Sequence, residues 1–145
     1  MATYDHYTEI EVRFRDSDAM GHVNNAVYLT YLEVARQAHW KTFAAHVGYD
    51  QVPFVVARVT MDFRSPAMVG ETIRVGLRTD WVSRSSFGLS YELRERDSER
   101  LVAEATTVLV TYDYEAKRAM PVPDWLRSGL ERVAGRSLPD RPPGG

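Results

Sequence analysis

From Asn25 to about His46 the chain contains neither proline nor glycine, and its apolar residues cover most of a helical circumference. Ala26, Val27, Tyr28, Leu29, Tyr31, Leu32, Val34, Ala35, Ala38, Trp40, Phe43 and Ala44 supply that surface. A helix lying on a protein surface keeps one broad polar face; this pattern predicts a helix buried on nearly all sides. Such a helix needs a sheet wrapped around it. Tyr28, Tyr31 and Trp40 read as core packing rather than as ligand-stacking groups, and Gly48 is the expected left-handed cap that ends the helix.

The rest of the sequence supplies the sheet. Tyr7 to Phe14 mixes apolar and polar residues in the alternation of a strand with one buried face. After Pro53, four segments (Phe54 to Phe63, Thr72 to Val82, Ser86 to Glu95 and Leu101 to Tyr112) are rich in Val, Ile, Thr, Phe and Tyr. Short turn-forming stretches separate them: Ser65-Pro66 with Val69-Gly70, then Ser83 to Ser85, then Arg96 to Arg100. Pro121-Val122-Pro123 leads into a short helix from Asp124 to Val133, with Gly135 after its end. The predicted class is α+β: a curved antiparallel sheet of about five strands around one long central helix, plus a short C-terminal helix. Residues 1–135 are expected to form one domain and 136–145, rich in Pro and Gly, a flexible tail. A sheet of this kind leaves an edge unpaired, so the chain is expected to be a homodimer or homotetramer.

Between the first strand and the long helix lies a loop, Arg15 to Asn24, with two aspartates, a glycine, a histidine and an asparagine, and Asn25 directly after it. Gly21 can take the positive φ of a sharp reversal, and Asn24 or Asn25 suits the N-cap. Asp16 and Asp18 are expected to point to opposite sides of the loop rather than to form a close carboxylate pair. One should face the helix entrance and the other solvent, Arg13 or Arg15. Asp16 reads as a loop-stabilising residue; Asp18 reads either as a loop cap or as a functional carboxylate. His22 can orient water or act as a base, although loop hydrogen bonding accounts for it more simply. Glu33 and Arg36, at helical spacing, read as an ion pair, with Glu33 bracing the loop as the alternative.

A helix N-terminus carries unpaired N–H groups and a partial positive charge, so it can hold an oxyanion developing beside a carboxylate. The backbone N–H of Asn25 is the better donor candidate. Thioester hydrolysis suits this equipment, because the leaving thiol, with a pKa of about 8.5, departs as thiolate without a strong acid. The chain has no cysteine, which excludes a thiol nucleophile, a disulfide framework and a zinc-thiolate centre. No H-E-x-x-H spacing accompanies His22, and neither a metal nor a cofactor is expected. With 18 basic against 20 acidic residues, and no basic run, neither nucleic acid nor a membrane surface is an expected partner. The N-terminal MATYDHYTEIEV lacks the features of a signal peptide, and a cytoplasmic location is expected.

The run RDSDAMGHVNNAVYLTYLEVAR resembles the signature of hotdog-fold acyl-CoA thioesterases of the 4-hydroxybenzoyl-CoA thioesterase type, in the branch with an Asp-x-Asp-x-x-Gly-His-Val-Asn-Asn loop. The similarity continues through VTMDFRSPAMVGETIRV, DWVSRSSFGLSYEL and PVPDWLR. It implies the hotdog fold, with Asp18 as the catalytic carboxylate and the N–H near Asn25 in the oxyanion hole. It further implies a substrate tunnel at a subunit interface, next to Gly21 and Asn24. Coenzyme A phosphates would be held by Ser83, Arg84 and Ser85 in the third-to-fourth strand turn and by Lys117 and Arg118. The His-Val-Asn-Asn version is closer to fatty acyl-CoA and acyl-carrier-protein thioesterases than to the hydroxybenzoyl branch, which points to aliphatic or broad acyl thioesters. The rival reading is a non-catalytic acyl-CoA or acyl-carrier-protein binding module on the same fold. A hydratase ranks last, for want of its Asp/His motif.

Overall fold

The computed structural model describes residues 3–48 and 51–140. Its elements run β1 (His6–Glu11), α1 (Val27–Ala44), β2 (Phe54–Phe63), β3 (Thr72–Val82), β4 (Ser86–Glu95), β5 (Leu101–Asp113), β6 (Arg118–Ala119) and α2 (Asp124–Ala134). All strands are antiparallel, in the order β1-β3-β4-β5-β2, and β6 adds a two-residue pairing to β5. This is the expected sheet with one small strand more. β6 escapes a sequence reading because two residues carry no period.

The first strand is shorter than the pattern suggested. It stops at Glu11, and Phe14–Asp16 form a 3-10 turn that leaves Phe14 exposed. Tyr7 also lies on the outer face, because a period of two groups it with Glu9 and Glu11, away from Ile10 and Val12.

α1 packs across β1 and β3, and Tyr31, Leu32 and Ala35 of its inner face join Val75, Leu77 and Leu93 in the core. Each fully buried leucine there stabilises the fold by about 1.5–3 kcal/mol. The expectation of a helix buried on nearly all sides does not hold within one chain. Leu29, Glu33, Val34 and Gln37 form an exposed second face. The helix also ends earlier than expected, at Ala44 with Ala45 still in right-handed helical geometry, so Gly48 is not its cap. Arg36 turns inward to donate to the Tyr91 hydroxyl (3.3 Å) instead of pairing with Glu33.

α2 behaves as read, starting after Pro123 and ending on Gly135 with φ at 72°. It seats on α1 where Gly129, lacking a side chain, leaves room for the Phe43 ring. The segment after it is tied to the body as far as it is described. Arg136 bonds Asp5 and the Thr79 carbonyl, Leu138 is buried, and the Pro139 carbonyl accepts from the Val82 N–H. The remainder of the expected tail, 141–145, lies outside the described residues. Among the described residues no helix is long and apolar enough to cross a membrane.

Strand order leaves β2 at an edge, and α1 meets it at its two ends, where Tyr28 packs on Phe63 and Trp40 on Phe54. Val56, Val59 and Phe63 share the register of the inward Leu109, Thr107 and Ala103 of β5, yet they are 42%, 40% and 48% exposed.

Candidate active site

The loop between β1 and α1 folds as a miniature hairpin. Ser17 bridges Val23, the Asp18 N–H donates to the His22 carbonyl (2.8 Å), and the Gly21 N–H donates to the Asp18 carbonyl (3.1 Å). Gly21 makes that turn at a φ of +80°, a conformation that costs an L-residue roughly 1–2 kcal/mol. His22 bridges Met68, and the Val23 N–H donates to the Ala67 carbonyl (2.9 Å), which fastens the hairpin to the segment between β2 and β3.

Asn24 opens the helix. Its side-chain Oδ1 accepts from the Ala26 N–H (2.9 Å) and its carbonyl from the Val27 N–H (2.9 Å). Two of the N–H groups orphaned at the helix start are thereby satisfied. The Asn25 N–H, directly before them in sequence, has no acceptor among the described residues.

The two aspartates do point opposite ways. Asp16 is 2% exposed and accepts from the Arg13 N–H (2.9 Å), the Arg13 guanidinium (3.0 Å) and the Tyr31 hydroxyl (2.8 Å). Burial acts to raise its pKa, but the hydrogen bonds from Arg13 and Tyr31 outweigh it and hold the carboxyl below the usual carboxylate range. Asp18 faces outward, with Oδ1 accepting from the Met20 N–H (2.9 Å). The loop-cap reading and an exposed carboxylate are therefore both present in one residue.

Asp18, His22, Asn24 and Asn25 meet at a cavity of about 540 Å³ whose other wall includes Tyr28 and Phe63. A carboxylate, the entrance of an 18-residue helix and an aromatic wall thus share one open space. The model of the thioesterase-like superfamily matches residues 12–130, which includes this loop and the whole sheet after it. The chain belongs to that superfamily.

A crystal structure of a thioesterase from Thermus thermophilus, complexed with coenzyme A and Zn, superposes with a TM-score of 0.83 at 33% identity, covering 95% of this chain and 100% of that one. The long-chain acyl-CoA thioesterase FadM of Escherichia coli is 29% identical over 134 residues, 87% of this chain and 97% of FadM. A 1,4-dihydroxy-2-naphthoyl-CoA hydrolase of Nostoc punctiforme is 26% identical over 144 residues, 88% of this chain and 94% of that enzyme. The fold and the reaction class expected from sequence stand: this member of the superfamily is a hotdog-fold thioester hydrolase.

The remaining sequence-predicted residues of this thioesterase lie elsewhere. The Ser83–Arg84–Ser85 turn is held by the Ser83 N–H on the Ser86 carbonyl (2.8 Å) and by the Arg84 and Ser85 carbonyls, which accept from Val122 (2.7 Å) and Thr111 (2.9 Å). Lys117, with φ at 56°, closes the adjacent β5–β6 turn, and Arg118 opens β6 opposite Asp113. Both turns border the Phe54 end of β2, because Phe54 pairs with Thr111; the cavity lies at the Phe63 end. Those ends of a 10-residue strand are about 30 Å apart. Within one chain the carboxylate and the basic turns are not brought together.

Tyr28 and Phe63 are the site residues that sequence reasoning missed. Tyr28 is buried as expected, yet one side of it lines the cavity, and Phe63 packs on it at 5.4 Å between ring centroids. The apolar ends of α1 and β2 were the only signal, and it is shared with ordinary core.

Proposed function

We propose that this thioesterase hydrolyses acyl-coenzyme A or acyl-carrier-protein thioesters at a site completed by a second copy of the chain. The observation that carries the proposal is the convergence of Asp18 and the unpaired Asn25 N–H on one cavity at the α1 entrance. A thioester carbonyl placed there points its oxygen at the Asn25 N–H, which stabilises the tetrahedral oxyanion by roughly 3 kcal/mol. Asp18 either takes a proton from the attacking water or attacks the carbonyl carbon itself to give an anhydride that water then opens. In both routes the carbon–sulfur bond breaks with its electron pair on sulfur, and the products are a free acid and a thiol.

The second copy is argued from what one chain leaves open. The inner face of β2 and the outer face of α1 present Val56, Val59, Phe63, Leu29 and Val34 to solvent, an apolar area that a monomer has no reason to keep exposed. A copy aligned antiparallel along the β2 edge covers that area. It also brings the partner's β3–β4 and β5–β6 turns, some 30 Å from the cavity in their own chain, to the Phe63 end of this one. Arg84 and Lys117 then meet the coenzyme A phosphates across the interface, while Gly21 and Asn24 border the acyl carbonyl.

The test is thiol release from a panel of acyl-coenzyme A and acyl-carrier-protein thioesters by the wild type and by Asp18→Asn. Asparagine preserves the bond to the Met20 N–H, so folding is kept while turnover falls by roughly 100- to 10,000-fold. Absence of turnover on every thioester, or an Asp18→Asn variant as fast as wild type, overturns the reading.

A further inference from the structure

The geometry points to Asp16 and Tyr31 as the positioning pair that sets the distance between the Asp18 carboxylate and the Asn25 N–H. This rests on the catalytic reading of Asp18 and Asn25 given above, and it assigns work to two residues that touch no substrate.

Asp16 is the point at which three parts of the site are fastened. Its backbone carbonyl accepts from the Asn24 N–H (2.9 Å), the peptide immediately before the oxyanion donor. Its side-chain Oδ2 accepts from the Tyr31 hydroxyl (2.8 Å), which lies buried about one turn inside α1. Its other contacts, the Arg13 N–H (2.9 Å) and guanidinium (3.0 Å), hold the end of the strand. Asp18 follows two residues later, on the hairpin whose base is closed by the Ser17–Val23 bridge. A shift of the Asp16 carboxylate relative to α1 therefore moves the carboxylate side of the cavity against its N–H side.

Among these contacts Tyr31 is the link that reaches the helix body; Arg13 and Asn24 belong to the strand end and the loop. The hydroxyl is committed to that bond. Burial first, and then the bond to Asp16, raises the Tyr31 pKa, so the phenol stays protonated and donating throughout the neutral range. A second tyrosine secures the opposite side of the hairpin, where the Tyr28 hydroxyl accepts from the Ala67 N–H (3.2 Å) and the Ala67 carbonyl holds Val23. Tyr28 and Tyr31 pack edge to face with ring centroids at 5.9 Å, so one face of α1 grips the loop at both ends. Errors of about 1 Å in the placement of reacting groups cost on the order of 100-fold in rate.

The test compares wild type, Tyr31→Phe, Asp16→Asn, Asp18→Asn and the double variant Tyr31→Phe/Asp18→Asn by steady-state kinetics per folded protein. Amide hydrogen exchange at Asn24 and Asn25 is measured on the same samples. Tyr31→Phe removes one oxygen and keeps the ring, so it folds even if Asp16→Asn does not. The expected result is a kcat lowered about 10- to 100-fold with KM within about twofold, and faster exchange at Asn24. The double variant should be no slower than Asp18→Asn alone. A merely structural role would lower the melting temperature but leave kcat per folded protein unchanged, and that outcome overturns the proposal. So does a further loss in the double variant equal to that of the single one. If Tyr31→Phe is fully active while Asp18→Asn is dead, the positioning role falls and the hydrolase reading stands; an active Asp18→Asn variant overturns both.

Discussion

Val59→Asp is the perturbation that most directly separates a site held in one chain from a site shared by two. Val59 sits on the inner register of the edge strand, opposite Thr107, and is 40% exposed. Burying a valine completely is worth about 1.5–3 kcal/mol, so covering what remains exposed contributes roughly 1 kcal/mol per protomer. An aspartate there also has to be stripped of water without a partner, which costs at least about 1 kcal/mol more. Two-fold symmetry counts the change twice, for a total of about 4 kcal/mol, or close to a thousandfold in the dimer dissociation constant. The single chain should tolerate the change, because the position is an edge-strand surface when the partner is absent. Sedimentation at micromolar concentration should show wild-type dimers and mainly Val59→Asp monomers with an unchanged circular dichroism spectrum. Thiol release should fall with the dimer fraction and recover as the variant is concentrated. A dimeric Val59→Asp protein, or a monomeric one with undiminished kcat, would refute the argument.

The placement of the basic turns gives a second test. Neither Asp18→Asn nor Arg84→Ala homodimers should reach wild-type kcat/KM, but a mixed dimer regains one intact site if Asp18 and Arg84 act from different chains; the mixture should exceed the mean of its components. Lys117→Ala alone should raise KM for coenzyme A esters and spare kcat, and an unchanged KM would place the phosphates elsewhere. Gly21→Ala should cost about 1–2 kcal/mol through its φ of +80° and appear as a lower Tm. Acid should destabilise the fold through His39, whose pKa is lowered to about 4 first by burial and then by His6, against the pull of Asp5. The neutral ring is stabilising above the unfolded value near 6.5. That stability, roughly 3 kcal/mol, is lost as pH falls from there towards 4, with Asp16 adding a further loss below the ordinary carboxylate range. His39→Phe should flatten the upper part of this pH profile of Tm; an unaltered profile would show that His39 is not its source.

Much of the fold was legible because it follows from local chemistry. The four long strands after Pro53 announced themselves by β-branched and aromatic runs, and α2 by Pro123 and Gly135 at its two ends. The turn at Gly21 was legible because few residues other than glycine accept its φ; the opposed aspartates were not, because residues two apart on extended backbone share a face, and it is the 3-10 turn ending at Asp16 that turns its carboxyl inward. The errors have equally local causes. Tyr7 and Phe14 looked like members of a buried face, but one stands out of phase and the other falls on a 3-10 turn. Arg36 and Glu33 have the spacing of an ion pair, yet Arg36 finds the Tyr91 hydroxyl under the helix, a neighbour 55 residues away.

By itself the sequence determined that one long helix must be covered on more than one side, that a carboxylate-bearing loop stands at its entrance, and that strands would do the covering. Periodicity and backbone preference are properties of neighbouring residues, so a linear chain records them. Only the tertiary structure decided which surface does the covering. The order β1-β3-β4-β5-β2 places β2 at the edge, leaves the second face of α1 open, and sets Arg84 and Lys117 a strand's length from Asp18. The same folding brought Asp16 to Tyr31, a contact no spacing announces. An apolar face is written in the sequence whether its cover is the same chain or a second copy, and the difference exists only once the strands have been ordered in space.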